Sequence, residues 1–196
     1  MNEVKKHFFQ WLNHLKNFPK KKLLLNSIIS FSLILTFVLI DQLTKNLIFD
    51  HKEFTVFSNW KERNVILDFK IIGFRPLLHI GVTSGINKYI GFFFIHLFSL
   101  IIVLVLPYFM IFSKRKLTII ILAFLWSGTF GNMLDRFLYE NGVKDVFYIP
   151  WYDNGTFNFA DVLIVLGSIG GALIILYTSF IESYILKKKN NKEHKE

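Results

Sequence analysis

Four long apolar segments alternate with polar and basic stretches along this chain of 196 residues. Each segment reaches the roughly 20 residues that an α-helix needs to cross about 30 Å of hydrocarbon. Only helices and closed barrels satisfy the backbone polar groups in that layer, and runs of this length predict helices. The predicted spans cover residues 23–49, 89–112, 117–138 and 160–186.

The connection between the first two spans is long and partly apolar. Apolar residues alternate with other residues over 64–74, which predicts a strand, and Phe54 and Val56 suit a second one. A loosely structured loop is the alternative. The whole pattern predicts an all-α membrane protein with four transmembrane helices and a small extracytoplasmic β-sheet subdomain, at about residues 53–85, between the first and second spans.

Composition and charge agree with a membrane protein. Hydrophobic residues make up 53% of the chain, which is high for a soluble domain. The Lys and Arg runs behind the net charge of +9 lie beside apolar segments, so they indicate lipid headgroups and membrane orientation rather than nucleic acid. The chain has no Cys, which excludes disulfides, thiolate nucleophiles and Cys-ligated metals.

The basic runs also predict the orientation of the spans. Runs at 20–22, 114–116 and 187–189 abut span ends that alternation places on one side, and we expect that side to be cytoplasmic. Both termini then lie inside. The predicted parts are a basic cytoplasmic leader (1–22), a four-span domain (23–186) and a basic cytoplasmic tail (187–196).

Polar residues on three of the predicted helices fall at one depth. Counting 1.5 Å per residue along each span puts them at the outer membrane boundary. Ionisable groups there are costly, so they are retained mainly for function or for pairing. The residues are Asp41 and Lys45 on the first span, Asn132, Asp135 and Arg136 on the third, and Asn158 and Asp161 at the start of the fourth, with Asp145 in the outer loop between the last two spans.

Each group also has a purely structural interpretation. Asp41 and Lys45 have the i, i+4 spacing of a helical ion pair, and the neighbours Asp135 and Arg136 form a second candidate pair. The Asn before the fourth span stands three residues ahead of an Asp, which is the spacing of a helix cap. Anchoring alone does not easily explain three such groups at one depth.

Carboxylates are the obvious catalytic groups in this set. Two close carboxylates do not both ionise easily, so one of them retains a proton. One can then activate water as a general base while the other protonates the carbonyl oxygen or the leaving amine of an amide. No His spacing typical of a metal site occurs, no cofactor is predicted, and His96 is expected to be packed or hydrogen bonded in the middle of the second span.

Four motifs at these positions resemble those of the lipoprotein signal peptidase family, also called signal peptidase II. They are DQLTK (41–45), GNMLDR (131–136), GVKDVFYI (142–149) and FNFAD (157–161), and the resemblance covers about residues 24–185. It implies an intramembrane aspartyl endopeptidase that removes the signal peptide from diacylglyceryl-modified prolipoproteins, on the amino side of the lipid-modified cysteine. The other partners it implies are membrane lipids and a globomycin-type cyclic peptide inhibitor.

The resemblance also implies roles for individual residues. Asp145 and Asp161 would form the catalytic pair, at the extracytoplasmic edge of the bacterial cell membrane. The residues that it implies as shaping the site or binding substrate are Asn132, Asp135, Arg136, Asn158, Ala160, Asp41, Lys45 and Gly81.

Two stretches depart from the family pattern. Lys144 stands immediately before Asp145, where the family usually has an apolar residue. A cation beside the pair would favour an ionised Asp145, so we expect a pH profile shifted downward. In the segment HIGVTSG, Gly81 matches a loop motif of the family but His79 and Ser84 do not, which alters the expected contacts to the substrate.

Two other functions fit parts of the sequence. A small proton-coupled transporter would use intramembrane acids as relays, but here the acids gather at one boundary instead of lining a path near the midplane. The second alternative is a catalytically inert relative that only binds lipid-modified peptides. The presence of both Asp145 and Asp161 argues against it.

Overall fold

The computed structural model of the chain describes residues 15–48, 67–80 and 91–182, together with Lys5, Phe9 and Tyr184. Among these residues are four helices that are long and apolar enough to cross a membrane, as predicted. The helices are α1 (Lys20–Ile48), α2 (Phe92–Ile111), α3 (Lys116–Leu138) and α4 (Phe159–Leu176), and the last continues as a π-helical segment, Tyr177–Glu182. Helix α1 begins before residue 23, so it includes the basic residues 20–22 of the predicted leader.

Glycines allow α3 to pack closely against α4. A Cβ on Gly128 would overlap the carbonyl oxygen of Ala160, and a Cβ on Gly167 would lie 2.6 Å from the backbone nitrogen of Leu125. Because both obstacles are backbone atoms, larger residues would push the two helices apart. This close approach brings the start of α4 against the last turns of α3.

The apolar core of the bundle lies where α2 ends and α3 begins. Met110, Ile119 and Ala123 are completely buried there and pack against apolar side chains of α1. Asn26 of α1 closes this end of the bundle, because its Nδ2 donates a hydrogen bond to the carbonyl oxygen of Ile111 (2.8 Å). The bond satisfies one of the carbonyls that remain free at the C-terminus of a helix.

The sheet draws on more of the chain than predicted. It has four antiparallel strands in the order β1-β2-β3-β4, and only the first two come from the connection between α1 and α2. The other two come from the connection between α3 and α4, where Lys144 and Asp145 interrupt the apolar alternation that would have indicated a strand. The strands are β1 (Leu67–Asp68), β2 (Gly73–Ile80), β3 (Gly142–Tyr148) and β4 (Thr156–Phe157).

The strand predicted over 64–74 is wrong in its extent. Residues 69–72 form a turn in which Lys70 has a positive φ of 68°, and β2 continues to Ile80. The apolar side chains of the turn are exposed, so their alternation does not reflect the pleat of a strand. The second predicted strand, at Phe54 and Val56, lies outside the described residues.

Candidate active site

A layer of buried polar side chains lies where α1 and α3 end and α4 begins. The structure therefore brings together the groups that depth counting placed at one level. Burying so many polar atoms is costly unless each has a partner. Asp41, Lys45, Asp135 and Asn158 are completely buried, and Asn132 is 4% exposed.

Lys45 is the centre of this layer. Its Nζ lies 2.8 Å from Oδ2 of Asp41 and 2.9 Å from Oδ2 of Asp135. It also donates a hydrogen bond to Oδ1 of Asn132 (3.1 Å). The expected i, i+4 pair is thus present, but it forms part of a larger group in which one cation faces two carboxylates from different helices.

Asp41 connects this group to α4. Its Oδ1 accepts a hydrogen bond from the backbone N–H of Ala160 (2.9 Å), in the first turn of α4, where backbone N–H groups have no partner within the helix. Gly131 of α3 lies directly beside the same carboxylate, and a Cβ on Gly131 would overlap Oδ2 of Asp41. The absence of a side chain at Gly131 therefore lets α1, α3 and α4 meet at one carboxylate.

Asn158 and Asp161 form a capping box at the start of α4. The side chain of Asn158 accepts from the backbone N–H of Asp161 (2.9 Å), and Oδ2 of Asp161 accepts from the backbone N–H of Asn158 (3.0 Å). The predicted helix cap is confirmed. The other oxygen of Asp161 accepts from Nδ2 of Asn132 (2.8 Å), so α3 also orients this carboxylate.

Asp145 lies in β3, not in an irregular loop, and the strand directs it at the same cap. Its Oδ1 accepts a hydrogen bond from Nδ2 of Asn158 (3.0 Å), and its Oδ2 accepts from Oγ1 of Thr156 (3.1 Å). The residue is 6% exposed. Asn158 therefore contacts both Asp145 and Asp161, and it holds the two carboxylates close to each other.

Burial raises the pKa of Asp145 well above its usual range, and the negative charge of Asp161 raises it further. The hydrogen bonds from Thr156 and Asn158 and the positive charge of Lys45 lower this pKa, but they do not reverse the shift. Among the described residues, neither Asp145 nor Asp161 has a Lys or Arg within ion-pair distance. Asp145 is therefore arranged to keep a proton.

Lys144 does not act on Asp145 as expected. Successive side chains of a strand point to opposite faces. Its ammonium donates to Oδ1 of Asn46 (2.8 Å) and to the hydroxyl of Tyr139 (2.7 Å), and it lies 4.0 Å from the centre of the Tyr139 ring. The expectation that Lys144 favours an ionised Asp145 is wrong, because the pleat turns this cation away from the carboxylate.

Arg136 is oriented along its own helix. Its Nη1 donates to the carbonyl oxygen of Asn132 (3.2 Å). Asp135, which the sequence offers as its neighbouring partner, forms its ion pair with Lys45 instead. Arg136 is still close enough to Asp161, and more weakly to Asp135, to interact with both electrostatically. It thus supplies diffuse positive charge to the layer.

The segment at the end of β2 is only partly described. Gly81 and Ser84 lie outside the described residues, so the structure does not test them. His79 stands opposite Val143 in the sheet, on the face that carries Asp145, and its buried Nε2 has no hydrogen-bond partner among the described residues. His96 is near the start of α2 instead of mid-span, and its Nε2 lies 2.8 Å from Oδ1 of Asn141.

Two residues that the sequence did not single out belong to the layer. Thr156 holds Asp145 from β4. Gln42 donates to Oδ2 of Asp41 (3.1 Å) and to Oδ1 of Asp135 (3.3 Å). Gln42 stands within the DQLTK motif, which is the signal that could have identified it, whereas the role of Thr156 depends on the pairing of β4 with β3.

Comparison with known proteins supports the family resemblance that the motifs indicate. The family model for signal peptidase (SPase) II matches residues 33–180. The chain is 30% identical over 167 residues to the lipoprotein signal peptidase of Borreliella afzelii, covering 78% of this chain and 90% of that protein. It is 31% identical over 183 residues to the lipoprotein signal peptidase of Rickettsia canadensis, covering 89% and 85% respectively.

A solved structure shares the fold. It is described as a bacterial membrane enzyme structure by the in meso method at 2.3 Å resolution, and it matches with a TM-score of 0.63 at 24% identity. The match covers 77% of this chain and 90% of the other. Four spanning helices, an antiparallel sheet, the motifs and these relatives agree, and the chain belongs to the signal peptidase II family of bacterial membrane proteins.

Proposed function

We propose that this protein is an intramembrane aspartyl endopeptidase that removes the signal peptide from diacylglyceryl-modified prolipoproteins. One observation carries the aspartyl part of the proposal. Asp145 and Asp161 share Asn158 as a hydrogen-bond partner, and the pKa of Asp145 is raised by burial and by the charge of Asp161. A pair that divides one proton supplies an acid and a base at the same place.

The proposed reaction needs no covalent intermediate. Asp161, ionised, takes a proton from a water molecule, and the resulting hydroxide attacks the carbonyl carbon of the scissile amide. Asp145, protonated, gives its proton to the carbonyl oxygen, so a neutral gem-diol forms. The gem-diol then returns a proton to Asp145 as the C–N bond breaks, while Asp161 gives its proton to the leaving amine.

The Lys45 group has a different role in this proposal. The ammonium of Lys45 faces the carboxylates of Asp41 and Asp135, and the three side chains bind the ends of α1 and α3 to the start of α4. They are positioning residues, as is Asn132, which donates to Asp161. Arg136, Asn158, Ala160 and Gly81 complete the set of residues proposed to shape the site or bind substrate.

The substrate class follows from the relatives and from chemistry. Proteins similar to this chain are named lipoprotein signal peptidases. This chain has no Cys, so the cysteine that bears the lipid belongs to the substrate. We propose cleavage on the amino side of that cysteine, and block by a globomycin-type cyclic peptide. Both termini are proposed to be cytoplasmic and the site extracytoplasmic, because basic runs flank the opposite end of the spans.

The proposal is tested by conservative replacement of each carboxylate. We expect Asp145→Asn and Asp161→Asn to lower cleavage of a diacylglyceryl-modified prolipoprotein in proteoliposomes by about 10² to 10⁴-fold, since each removes one proton-transfer step. Glu140→Gln, at an exposed carboxylate in the turn after α3, is the matched control and should retain activity. Near-normal cleavage by either Asp variant would rule out the pair. A wild-type chain that binds the lipopeptide without cleaving it would rule out the enzyme.

A further inference from the structure

Strand β3 runs back along α3 instead of away from it. The backbone N–H of Lys144 donates to Oδ2 of Asp135, about one turn before the end of α3 (3.2 Å). The next residue, Asp145, bonds to Asn158, which in turn bonds to Asn132, almost one further turn back (3.1 Å). From Lys144 to Asp145 the contacts thus shift to a deeper level of the bundle, so β3 runs toward the membrane.

The turn between β1 and β2 lies at the far end of this descent. Gly73 of β2 is opposite Tyr148, the last residue of β3, so the turn over 69–72 extends beyond the end of β3. The short helical turn Pro150–Tyr152 follows β3 directly and lies at the same end of the sheet. Two separate turns thus occupy the lowest end of the sheet.

Arg75 joins these turns into one unit. Its guanidinium makes a bidentate ion pair with Asp153, with both N–O distances at 2.8 Å, and lies 4.0 Å from the centre of the Tyr148 ring. The hydroxyl of Tyr148 donates to Oδ2 of Asp68 (3.2 Å). A planar guanidinium that is both paired and stacked holds its neighbours in a defined geometry.

The joined turns expose large apolar side chains. Ile71 is 77% exposed and Trp151 is 74% exposed. We call the group of Phe69, Ile71, Ile72, Trp151 and Tyr152 the apolar tip; all of its members are exposed. Lys70, also exposed, lies within the same turn. Aromatic and aliphatic side chains beside a cation are the composition of segments that bind in the interfacial region of a bilayer.

We propose that the apolar tip inserts into the bilayer leaflet on the active-site side, with Lys70 at the lipid phosphates, and that this anchor holds β3 against the start of α4. The occupant of this surface is lipid because the four spans expose apolar side chains to the membrane, and because β3, which ends beside the tip, descends toward that layer. The side of the membrane follows the orientation given under the proposed function, whereas the insertion itself depends only on the geometry of the sheet.

The anchor has a consequence for the site. Asp145 belongs to the same strand that ends at Tyr148, so lipid contacts at the tip keep Asp145 seated on Asn158. A substrate whose cysteine carries a diacylglyceryl group would be anchored in the same leaflet by that lipid. The tip therefore places Asp145 at the depth at which such a substrate is held.

The depth of the tip is measurable because the chain has no Cys, so that single cysteines can be labelled without altering a background. Nitroxide labels are placed in turn at Ile71→Cys and Trp151→Cys, in vesicles of phosphatidylethanolamine and phosphatidylglycerol. Leu104→Cys, on the lipid-facing surface of α2, is the reference for a label inside the bilayer, and Glu140→Cys is the reference for a label in water. Power saturation with oxygen and with a water-soluble nickel chelate reports the depth of each label without any need for cleavage.

We expect both tip labels to be more accessible to oxygen than to nickel, at a depth on the order of 5–10 Å below the phosphates and shallower than Leu104→Cys. A tip label as accessible to nickel as Glu140→Cys would overturn the proposal. So would protection from both reagents, or spin–spin broadening, since these would indicate protein or a second copy as the occupant. The second label keeps the test decisive if one variant fails to fold. Failure of the peptidase proposal would appear in the cleavage assay and leave the label depths unchanged.

Discussion

Two pairs of carboxylates lie within one polar layer, and they differ in their counter-charge. Asp41 and Asp135 share the ammonium of Lys45, at 2.8 and 2.9 Å. Asp145 and Asp161 receive hydrogen bonds from amide, hydroxyl and backbone groups, and among the described residues no cation pairs directly with either. The two pairs are contiguous, because Asn132 contacts Lys45 from its Oδ1 and Asp161 from its Nδ2.

We expect this difference to separate a structural pair from the proposed catalytic pair. A buried carboxylate that faces an ammonium is held by an ion pair, and removing the cation leaves its charge without compensation. A buried carboxylate beside a second anion, held only by neutral donors, keeps a proton that it can transfer. The presence of acids at membrane depth is therefore less informative than the presence or absence of a cation between them.

The largest expected effect comes from removing the cation. Lys45→Met would leave Asp41 and Asp135 buried without compensation, and we expect a loss of about 3–5 kcal/mol in the free energy of unfolding. Thermal unfolding in detergent measures it. Lys22→Met is the matched control, with an expected change below about 1 kcal/mol, because this ammonium donates to an exposed backbone carbonyl and lies 6.0 Å from the centre of the Phe18 ring.

A compensating variant sharpens this prediction. Asp41→Asn and Asp135→Asn, added to Lys45→Met, remove the uncompensated charges, so much of the lost stability should return. If Lys45→Met alone unfolds at the wild-type temperature, the ion pairs of Lys45 with Asp41 and Asp135 do not stabilise the fold.

In the pair of Asp145 and Asp161, a substitution should raise stability, whereas Lys45→Met lowers it. Because the folded-state pKa of Asp145 is raised, the folded protein binds its proton more tightly than the unfolded chain does. The contribution of Asp145 to stability is therefore greatest below the unfolded pKa of about 3.9, and it is lost as the pH rises through the folded pKa. Asp145→Asn removes this loss, so its stability advantage over wild type should grow with pH from about 4 upward.

We expect Asp145→Asn to melt at a higher temperature than wild type although it cleaves less substrate. Each kcal/mol gained in the free energy of unfolding should raise the melting temperature by about 2–4 °C. Melting curves of both proteins at several pH values measure it. Asp68→Asn, which removes an exposed carboxylate of β1 outside the polar layer, is the control. A pH-independent difference, or a variant less stable than wild type at every pH, would contradict the raised pKa.

The smallest effect concerns Lys144. Its ammonium is held by Asn46 and Tyr139, so Lys144→Met should lower stability by roughly 1 kcal/mol for each lost hydrogen bond and leave the pH profile of cleavage in place. The pH dependence of cleavage, compared with wild type, measures this. An alkaline limb that moves upward in the variant would show that Lys144 does act on Asp145.

The sequence predicts the helical part of this molecule well, because hydrophobic length is a property of local sequence. Depth counting works for the same reason, since a rise of 1.5 Å per residue relates positions on different helices. It predicts Asp41, Asn132 and Asp161 at one level, and the contacts of Asp41 with Ala160 and of Asn132 with Asp161 agree with that. The local cap of Asp161 by Asn158 is equally a matter of spacing.

The sheet and the orientation of its side chains are beyond such reasoning. Pairing of β2 with β3 joins segments more than sixty residues apart, and no local pattern specifies it. Without the strand, Lys144 and Asp145 are simply neighbours, whereas the pleat places them on opposite faces. The same applies to Lys45, whose local partner is Asp41 but whose second partner, Asp135, depends on how α1 packs against α3.

The central claim is that Asp145 keeps a proton while an ordinary aspartate is ionised. Infrared difference spectroscopy on protein with isotope-labelled aspartate measures this directly, through the C=O stretch of a protonated carboxyl group. At about pH 5, above the usual aspartate pKa of about 3.9, we predict such a band in wild type and its loss in Asp145→Asn, with the band retained in Asp68→Asn. A band that persists in Asp145→Asn at full intensity, or no band in wild type, would contradict the account.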